Sequence, residues 1–539
     1  MNKKVGKILT AAAAGAAVGV AVKKLQDSRK EKEDERIAAI EEAVMNNRDY
    51  GDRKAYLVGG GLATLAAAAY LIRDCRFPAN QITVYEGMHI LGGSNDGIGT
   101  PEQGFVCRGG RMLNEETYEN FWELFGSIPS LRQPGRSVTE EILEFDHAHP
   151  TCAKARLVDK DGNILDVKSM GFNQADRMAL LKLLMTDEKK LDNLTIQDWF
   201  KETPHIFETN FWYMWQTTFA FQKYSSLFEF RRYMNRMIFE FSRIETLEGV
   251  TRTPLNQYDS VIRPLETYLR KAGVNFRENC EVTDIDFADG PGITAKTLYL
   301  KKKVESTDDS GEESDAPAGP SYVTEEVQLN KSDICIMTNA CMTDSATLGS
   351  LYKPAPAPEK KPISGELWAK VAGKKPGLGN PEPFFTKPEE TNWLSFTVTC
   401  KGDDILKTIE NFTGNVPGSG ALMTFKDSSW LMSSVVAAQP HFVNQPADQT
   451  IFWGYGLHTE AIGDYVKKPM KDCTGQELLN EYLHHLHIPE DMVFTEEYSV
   501  RAARIAVYGL LDVKKKICPV TPYNRQPKIL LKALKKSYL

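Results

Sequence analysis

The sequence predicts an α/β protein, and three observations lead to that prediction. A short apolar run at residues 55–58 is followed by three consecutive glycines and an Ala-rich apolar stretch at 62–72. A second apolar run at 81–86 completes a strand–helix–strand pattern, which is typical of parallel sheets. Residues 199–241 carry 15 aromatic side chains in 43 positions, about 35% against 10% for the whole chain. We therefore expect a Rossmann-like unit and a helical, aromatic-rich region.

Composition and charge exclude several classes of protein. Hydrophobic residues make up 42% and charged residues 25% of the 539 positions, which excludes collagen-like, coiled-coil and wholly disordered chains. The net charge of −7 argues against dedicated nucleic-acid binding, which needs a basic surface. The nine cysteines include no CxxC pair and no zinc-ligand spacing. The sequence therefore predicts a reducing, cytoplasmic compartment and no metal site.

The glycine turn after the first strand is a candidate phosphate-binding site. Gly59 and Gly61 match the first two glycines of the GxGxxG pattern, and Thr64 replaces the third. The first glycine makes the tight turn, the second lets the backbone approach a pyrophosphate, and the third allows close helix–strand packing. The following helix points N–H groups at the phosphates. The candidate contacts are Gly59, Gly60, Gly61, Leu62 and Ala63; a turn without a ligand is the alternative.

Further candidate cofactor contacts follow this turn. Glu86 ends the second strand, 27 residues after Gly59, where an acid accepts hydrogen bonds from ribose hydroxyls. Two more glycine-rich turns lie at residues 91–94 and 108–111, and such turns commonly lie along the cofactor of flavoproteins with this architecture. Their candidate contacts are Gly93, Ser94, Arg108, Gly109, Gly110 and Arg111. The alternative for the two arginines is salt bridging at the surface.

Six segments are predicted along the chain. Residues 1–50 form a charged helical leader, whose uncharged stretch at 8–22 is either a peripheral membrane tether or a solvated helix. Residues 51–150 begin the nucleotide-binding core and residues 151–255 form the helical substrate-binding region. The core returns at 256–350, with an acidic solvated loop or hairpin tip at 304–328. Residues 351–490 form a mixed substrate-binding and sheet region, and 491–539 a C-terminal helical region.

Several local elements are predicted within these segments. Long helices are expected at residues 210–224 and 227–244, an alternating strand at 281–287, and a buried strand that runs into a turn at 333–339. The aromatic side chains of the helical region suit a pocket for a long apolar ligand. Ordinary core packing is the alternative for most of these rings.

The chain resembles the oleate hydratase family, formerly called myosin-cross-reactive antigens. The resemblance extends from about residue 54 to the C-terminus. It is carried by the segments at residues 56–63, 89–94, 108–116, 230–233, 256–260, 439–442 and 497–501.

The resemblance implies an enzyme that binds FAD and adds water across a cis double bond of an unsaturated fatty acid. Oleate would give 10-hydroxystearate, and the flavin would have a structural and electrostatic role. In the family a tyrosine protonates the alkene, and it corresponds here to Tyr233. An acid activates the water, and its position corresponds to Met112. Gln257 corresponds to a residue near the substrate chain, and the family suggests a homodimer.

Three features depart from the family pattern. A thioether cannot act as a general base, so the catalytic candidates are Tyr233, the Met112 position and a neighbouring group, with Glu115 foremost beside Asn114 and Glu116. First-turn acids of a helix are the alternative for Glu115 and Glu116. The carboxylate-binding segment is apolar here at 435–438, although His441 remains. Several dozen family residues are missing near residue 493, which predicts weak FAD binding.

Two other functions remain open. The first is an FAD oxidoreductase acting on an apolar substrate, which a Rossmann signature alone supports equally well. The second is a catalytically impaired relative that binds fatty acids or membranes, consistent with Met112 and the missing segment. The basic, apolar stretch at 528–539 suits membrane contact, and an ordinary terminal helix is its alternative.

Overall fold

The computed structural model describes residues 46, 48–95, 97–107, 112–304, 321–338, 345–357, 362–385, 387, 390, 392–419, 422–486, 527, 528 and 531. Most of the predicted leader and of the C-terminal region lie outside the described residues. The turn at 108–111, the acidic segment at 305–320 and the position of the missing segment also lie outside them.

Strands occur throughout the described chain. They are β1 (Ala55–Val58), β2 (Ile82–Tyr85), β3 (Gly97–Thr100), β4 (Gly104–Cys107), β5 (Leu113–Asn114), β6 (Leu157–Val158), β7 (Val250–Thr251), β8 (Asn275–Arg277), β9 (Cys280–Phe287), β10 (Ala295–Val304), β11 (Ser321–Gln328), β12 (Ile334–Met337), β13 (Leu394–Lys401), β14 (Met423–Phe425), β15 (Ser433–Val435) and β16 (Gln449–Gly456).

The described α-helices are 4 to 12 residues long, and most of them lie in the middle of the chain. They are α1 (Leu62–Arg73), α2 (Glu119–Phe125), α3 (Val138–Ala148), α4 (Gln174–Met185), α5 (Ile196–Trp199), α6 (Asn210–Phe219), α7 (Leu227–Arg236), α8 (Ile238–Phe241), α9 (Arg263–Ala272), α10 (Ile363–Lys374), α11 (Glu382–Phe385), α12 (Asp404–Thr413) and α13 (Gly475–His485).

Unit 1, residues 1–93, 265–340 and 364–380, contains the predicted Rossmann-like sheet. Its strand order is β12-β1-β2-β8, with every pairing parallel, and α1 connects β1 to β2. A second sheet is antiparallel in the order β11-β10-β9. The predicted strands at 281–287 and 333–339 are therefore confirmed as β9 and β12, and β10 and β11 form a hairpin that flanks the acidic segment. The α/β fold class is confirmed.

Unit 2, residues 94–264, 341–363 and 381–539, contains the helical region and a mixed sheet. The sheet order is β13-β16-β15-β14-β6, and β5 pairs with β7 in a short antiparallel ladder. The aromatic helices pack into one core in which Phe211, Trp215 and Phe230 are fully buried. Core packing therefore accounts for these three rings.

The two units do not follow the predicted segments: for example, residues 364–380 of the predicted 351–490 segment group with unit 1. Residues 94–150 group with unit 2 and not with the Rossmann-like unit. The reason is that β4 lies against β13, where the Phe105 N–H donates to Thr399 Oγ1 at 3.0 Å and the Cys107 N–H to Thr397 Oγ1 at 3.3 Å.

The two long helices predicted at 210–224 and 227–244 are wrong in length. The first ends at Phe219, because Ala220 adopts a left-handed conformation with φ 58°. The carbonyls of Lys223 and Ser225 instead accept hydrogen bonds from N–H groups of α5. The second is divided at Met237, which has φ −100° and ψ 32° and separates α7 from α8. Among the described residues, no helix is long and apolar enough to cross a membrane.

Candidate functional site

The glycine turn of unit 1 is held by close backbone contacts. Gly59 has φ +98°, and a Cβ at this position would lie 2.7 Å from the carbonyl oxygen of Thr338. The Gly60 N–H donates to Glu86 Oε2 at 2.7 Å, and the Met88 N–H donates to Glu86 Oε1 at 2.8 Å. Glu86 therefore joins the turn after β1 to the end of β2.

Gly61 is the one position in this turn where space is left. A Cβ added there meets no heavy atom of the described chain within 4 Å, and its φ of −75° is open to any residue. It precedes α1, whose first turn has no side-chain cap and contains the half-buried Leu62 and the exposed Ala63. An uncapped N-terminus beside open space fits the phosphates of a dinucleotide.

Thr64 shows how the departure from the glycine pattern is accommodated. Its side chain is fully buried, and its hydroxyl shares a short hydrogen bond with the Thr338 hydroxyl at the end of β12. Helix and strand therefore pack closely with a side chain between them.

The structure places some of the other predicted cofactor contacts near the glycine turn and does not describe others. Gly93 lies beside the turn in unit 1, where its Cβ would be 3.4 Å from the Cα of Gly61. Ser94 is grouped with unit 2. Residues 108–111 lie outside the described residues, so the roles predicted for Arg108 and Arg111 stay predictions.

A largely apolar cavity in unit 2 brings together three of the predicted site residues. Met112, Gln257 and His441 all line it, with Phe145, Ile451 and Phe452 among the apolar side chains. Its empty volume, which includes space open to solvent, is about 670 Å³. Val435, Ala437 and Ala438, which replace the polar carboxylate-binding segment of the family, also line it. This cavity is the candidate substrate site.

Local hydrogen bonds position the polar side chains of the cavity. Met112 and Arg252 lie at the same end of the β5–β7 ladder, whose register pairs Leu113 with Thr251. Asn256 fixes the backbone of His441, because its N–H and its Nδ2 donate to the His441 carbonyl at 2.8 and 3.0 Å. The Gln257 Nε2 donates to Thr253 Oγ1 at 3.2 Å.

Among the described lining residues, one side chain, Arg252, is a cation at pH 7. Burial lowers the pKa of the Arg252 guanidinium to about 10, with Asp146 opposing the shift, so Arg252 is charged at pH 7. Burial lowers the pKa of the His441 imidazole to about 4, with Asp259 opposing the shift and Arg252 adding to it. His441 is therefore neutral at pH 7. No carboxylate is among the described lining residues.

Several buried nitrogen atoms of the cavity residues have no hydrogen-bond partner in the described structure. They are Arg252 Nη2, His441 Nδ1 and Trp453 Nε1. Sequence reasoning missed Arg252 and Trp453. The available signal was an arginine directly after the apolar β7, four residues before the family-like segment at 256–260.

Tyr233 lies elsewhere in unit 2. It is on α7, is 37% exposed, and is not among the lining residues of this cavity. Its ring makes edge contacts with Phe219 and Phe221 at centroid distances of 5.4 and 5.2 Å.

The alternative that Glu115 and Glu116 are first-turn acids of a helix is wrong, because α2 begins only at Glu119. Glu115 Oε1 lies 3.0 Å from His147 Nε2, and Glu116 Oε1 lies 3.0 Å from Arg243 Nη2. Asn114 is buried and donates to Glu240 Oε1 at 2.7 Å. None of these three side chains is among the cavity lining.

The fold and site define an α/β protein with a dinucleotide-type glycine turn in unit 1 and an apolar cavity in unit 2. Residues 52–491 match the family model described as MCRA. The chain belongs to the MCRA family. It is 35% identical over 579 positions to the linoleate hydratase of Lactiplantibacillus plantarum, covering 90% of this chain and 98% of that protein. That alignment is longer than the chain itself, so part of the relative has no counterpart here.

A second relative is similarly close. The oleate hydratase of Streptococcus pyogenes serotype M49 (strain NZ131) is 35% identical over 449 positions, covering 82% of this chain and 72% of that protein. Among solved structures, a putative protoporphyrinogen oxidase from Exiguobacterium sp. 255-15 matches 81% of this chain and 83% of its own, with 15% identity and a TM-score of 0.41. A fatty acid isomerase from P. acnes matches 83% and 86%, with 12% identity and a TM-score of 0.40.

Two alanine substitutions separate the packed and open parts of the glycine turn. Gly59→Ala is expected to lower the free energy of unfolding by about 1–3 kcal/mol, because it combines a left-handed φ with a clash against the Thr338 carbonyl. Gly61→Ala should change stability by less than about 1 kcal/mol. Urea unfolding measures both, and an equal loss in the two variants would contradict the described turn.

Proposed function

We propose that this chain hydrates a cis double bond of an unsaturated fatty acid such as oleate, yielding a 10-hydroxy fatty acid. Two relatives that share 35% identity with it over most of its length are named linoleate hydratase and oleate hydratase. The single observation that carries the proposal is the cavity. It collects Met112, Gln257 and His441 from three distant parts of the sequence and surrounds them with apolar side chains suited to an alkyl chain.

FAD is the proposed cofactor, and the residues of the glycine turn fit it. The N-terminus of α1 would hold the pyrophosphate beside Gly61, where there is room for it, and Glu86 would accept hydrogen bonds from the ribose. When bound, the flavin supplies a planar, polar surface with a structural and electrostatic role, as the family resemblance implies.

The proposed reaction needs a proton donor. In this proposal the Tyr233 hydroxyl gives its proton to one alkene carbon, and water adds to the other carbon. The added water then loses a proton, which restores the tyrosine, so the net change is the addition of H and OH. This role for Tyr233 rests on the family resemblance alone, since Tyr233 is not among the described lining residues of the cavity.

The group that activates the water differs from the family pattern. Met112 offers no proton acceptor, and the carboxylates of Glu115 and Glu116 are paired away from the cavity. Neutral His441, whose Nδ1 has no partner in the described structure, is our candidate for the side chain that orients the water.

A second candidate function is fatty-acid binding without turnover. It is favoured by Met112 at the position of the family's acid and by the apolar residues at 435–438. In this case the apolar cavity would bind the alkyl chain, but the water would not be activated.

The proposed reaction is tested by isotopic labelling. The full chain, supplied with FAD, is incubated with oleate in H₂¹⁸O, and the fatty acids are analysed by mass spectrometry. Hydration places one ¹⁸O at the new hydroxyl without consuming O₂. Binding of oleate without product would favour the second candidate, and O₂-dependent release of peroxide would indicate the oxidoreductase alternative.

FAD binding is predicted to depend on Gly61. Gly61→Ala should weaken FAD binding by about tenfold or more, because its Cβ occupies the space through which the pyrophosphate approaches. The matched control is Gly87→Ala, whose Cβ makes only ordinary contacts with Glu281 at 3.7 Å. Quenching of flavin fluorescence measures both. If the unmodified chain does not bind FAD, the cofactor proposal is wrong.

Tyr233→Phe is predicted to abolish hydration while leaving FAD affinity unchanged. The substitution removes only the hydroxyl and keeps the ring contacts with Phe219 and Phe221. General-acid catalysis contributes about 10²–10⁴-fold to a rate, so the loss should be at least of that order. The matched control is Tyr224→Phe, a similarly exposed tyrosine. Turnover retained by the Tyr233 variant would remove this residue from its role.

A further inference from the structure

We propose that Arg252 binds the carboxylate of the fatty acid in this chain, taking over from the polar side chains that the segment at 435–438 lacks. This inference rests on the proposed fatty-acid substrate and adds the residue that recognises its head group. The side chain is at the cavity lining, is charged at pH 7, and is 9% exposed.

The bonding of Arg252 leaves part of its guanidinium available. Its Nε donates to Thr151 Oγ1 at 3.1 Å, but Nη2 is buried and has no partner in the described structure. The nearby Asp146 carboxylate accepts the backbone N–H of Arg252 at 2.9 Å. It does not form an ion pair with the guanidinium, and no other carboxylate of the described residues lies within 4 Å of it. Asp146 stabilises the buried charge electrostatically but does not bond to the guanidinium, so an anionic ligand that bonds to it relieves the remaining cost of burial.

A second cavity nitrogen points to the same ligand chemistry. Trp453 Nε1 is buried and unpartnered, and an indole N–H can only donate. Arg252 and Trp453 therefore offer donors alone, in a cavity whose described lining contains no carboxylate. A ligand group that accepts from the Arg252 guanidinium and neutralises its charge is an anion. A fatty acid combines such a group with an alkyl chain for the apolar walls.

Met112 explains why the Arg252 guanidinium has no carboxylate bonded to it in this chain. Since Leu113 pairs with Thr251, Met112 and Arg252 are neighbours at the end of the β5–β7 ladder. An acid at position 112, as the family resemblance implies for relatives, would lie beside the guanidinium and could pair with it. The thioether cannot, so the guanidinium keeps its capacity for a ligand.

The test compares oleate with oleyl alcohol, which has the same chain and no carboxylate. Dissociation constants are measured for the full chain by isothermal titration calorimetry below the critical micelle concentration of oleate. The unmodified chain should bind oleate about tenfold or more tightly than the alcohol. Arg252→Gln should lose this preference while its affinity for the alcohol stays within about twofold. The matched control is Arg136→Gln, an exposed arginine paired with Glu144, which should keep the preference.

A second pair of variants tests the proposal even if Arg252→Gln does not fold. Met112→Glu should remove the preference for oleate by supplying Arg252 with a carboxylate, whereas Met112→Gln should retain it. The proposal is overturned if the unmodified chain binds both ligands equally or binds neither. It is also overturned if Arg252→Gln or Met112→Glu keeps the full preference. These affinities do not depend on turnover, so failure of the hydration assay leaves the two conclusions distinguishable.

Discussion

Unit 2 depends on the hydrogen bonds made by the buried guanidinium of Arg156. Arg156 is 1% exposed, and burial lowers its pKa to about 10, with Tyr455 and Glu245 opposing the shift. It remains charged at pH 7 and therefore must keep its acceptors. These are the Ile244 carbonyl at 3.0 Å, the Thr218 hydroxyl at 3.2 Å and the Leu422 carbonyl. One side chain thus connects the end of α6, the segment after α8 and the segment before β14.

Arg252 has the same desolvation in the same unit but a different set of partners. Each guanidinium nitrogen of Arg156 has an acceptor, whereas Arg252 donates to Thr151 through Nε and has an Nη2 without a partner in the described structure. An unpaired buried donor costs about 1–3 kcal/mol, more when it is charged, so the second arrangement weakens the fold. Thermodynamically, such an arrangement favours a ligand that supplies the missing acceptor. Arg156 therefore stabilises unit 2 through its own acceptors, whereas Arg252 has a donor that a ligand can satisfy.

The sequence predicted those parts of the fold and site that depend on neighbouring residues. The bounds of β1, α1 and β2 follow from apolar runs and glycine spacing, whereas the hydrogen bond between Gly60 and Glu86 was not predicted. The segment at 227–244 shows the limit, because its interruption at Met237 has no proline or glycine to mark it. Met112, Gln257 and His441 were found through the family resemblance. Arg252 could not be found this way, since its importance arises from a ladder that joins residue 113 to residue 251.

Two departures from a motif have opposite consequences in this chain. Thr64 replaces a glycine of the motif. Its hydroxyl forms a hydrogen bond with the hydroxyl of Thr338, which lies at the end of a strand distant in sequence. The Thr64 hydroxyl therefore has its hydrogen-bond partner within the protein and does not need one from a ligand. Met112 stands where the family has an acid, and no carboxylate among the described residues replaces that acid beside Arg252. In the proposal for Arg252, the fatty-acid carboxylate supplies the acceptor that position 112 lacks, so the departure changes what the cavity recognises.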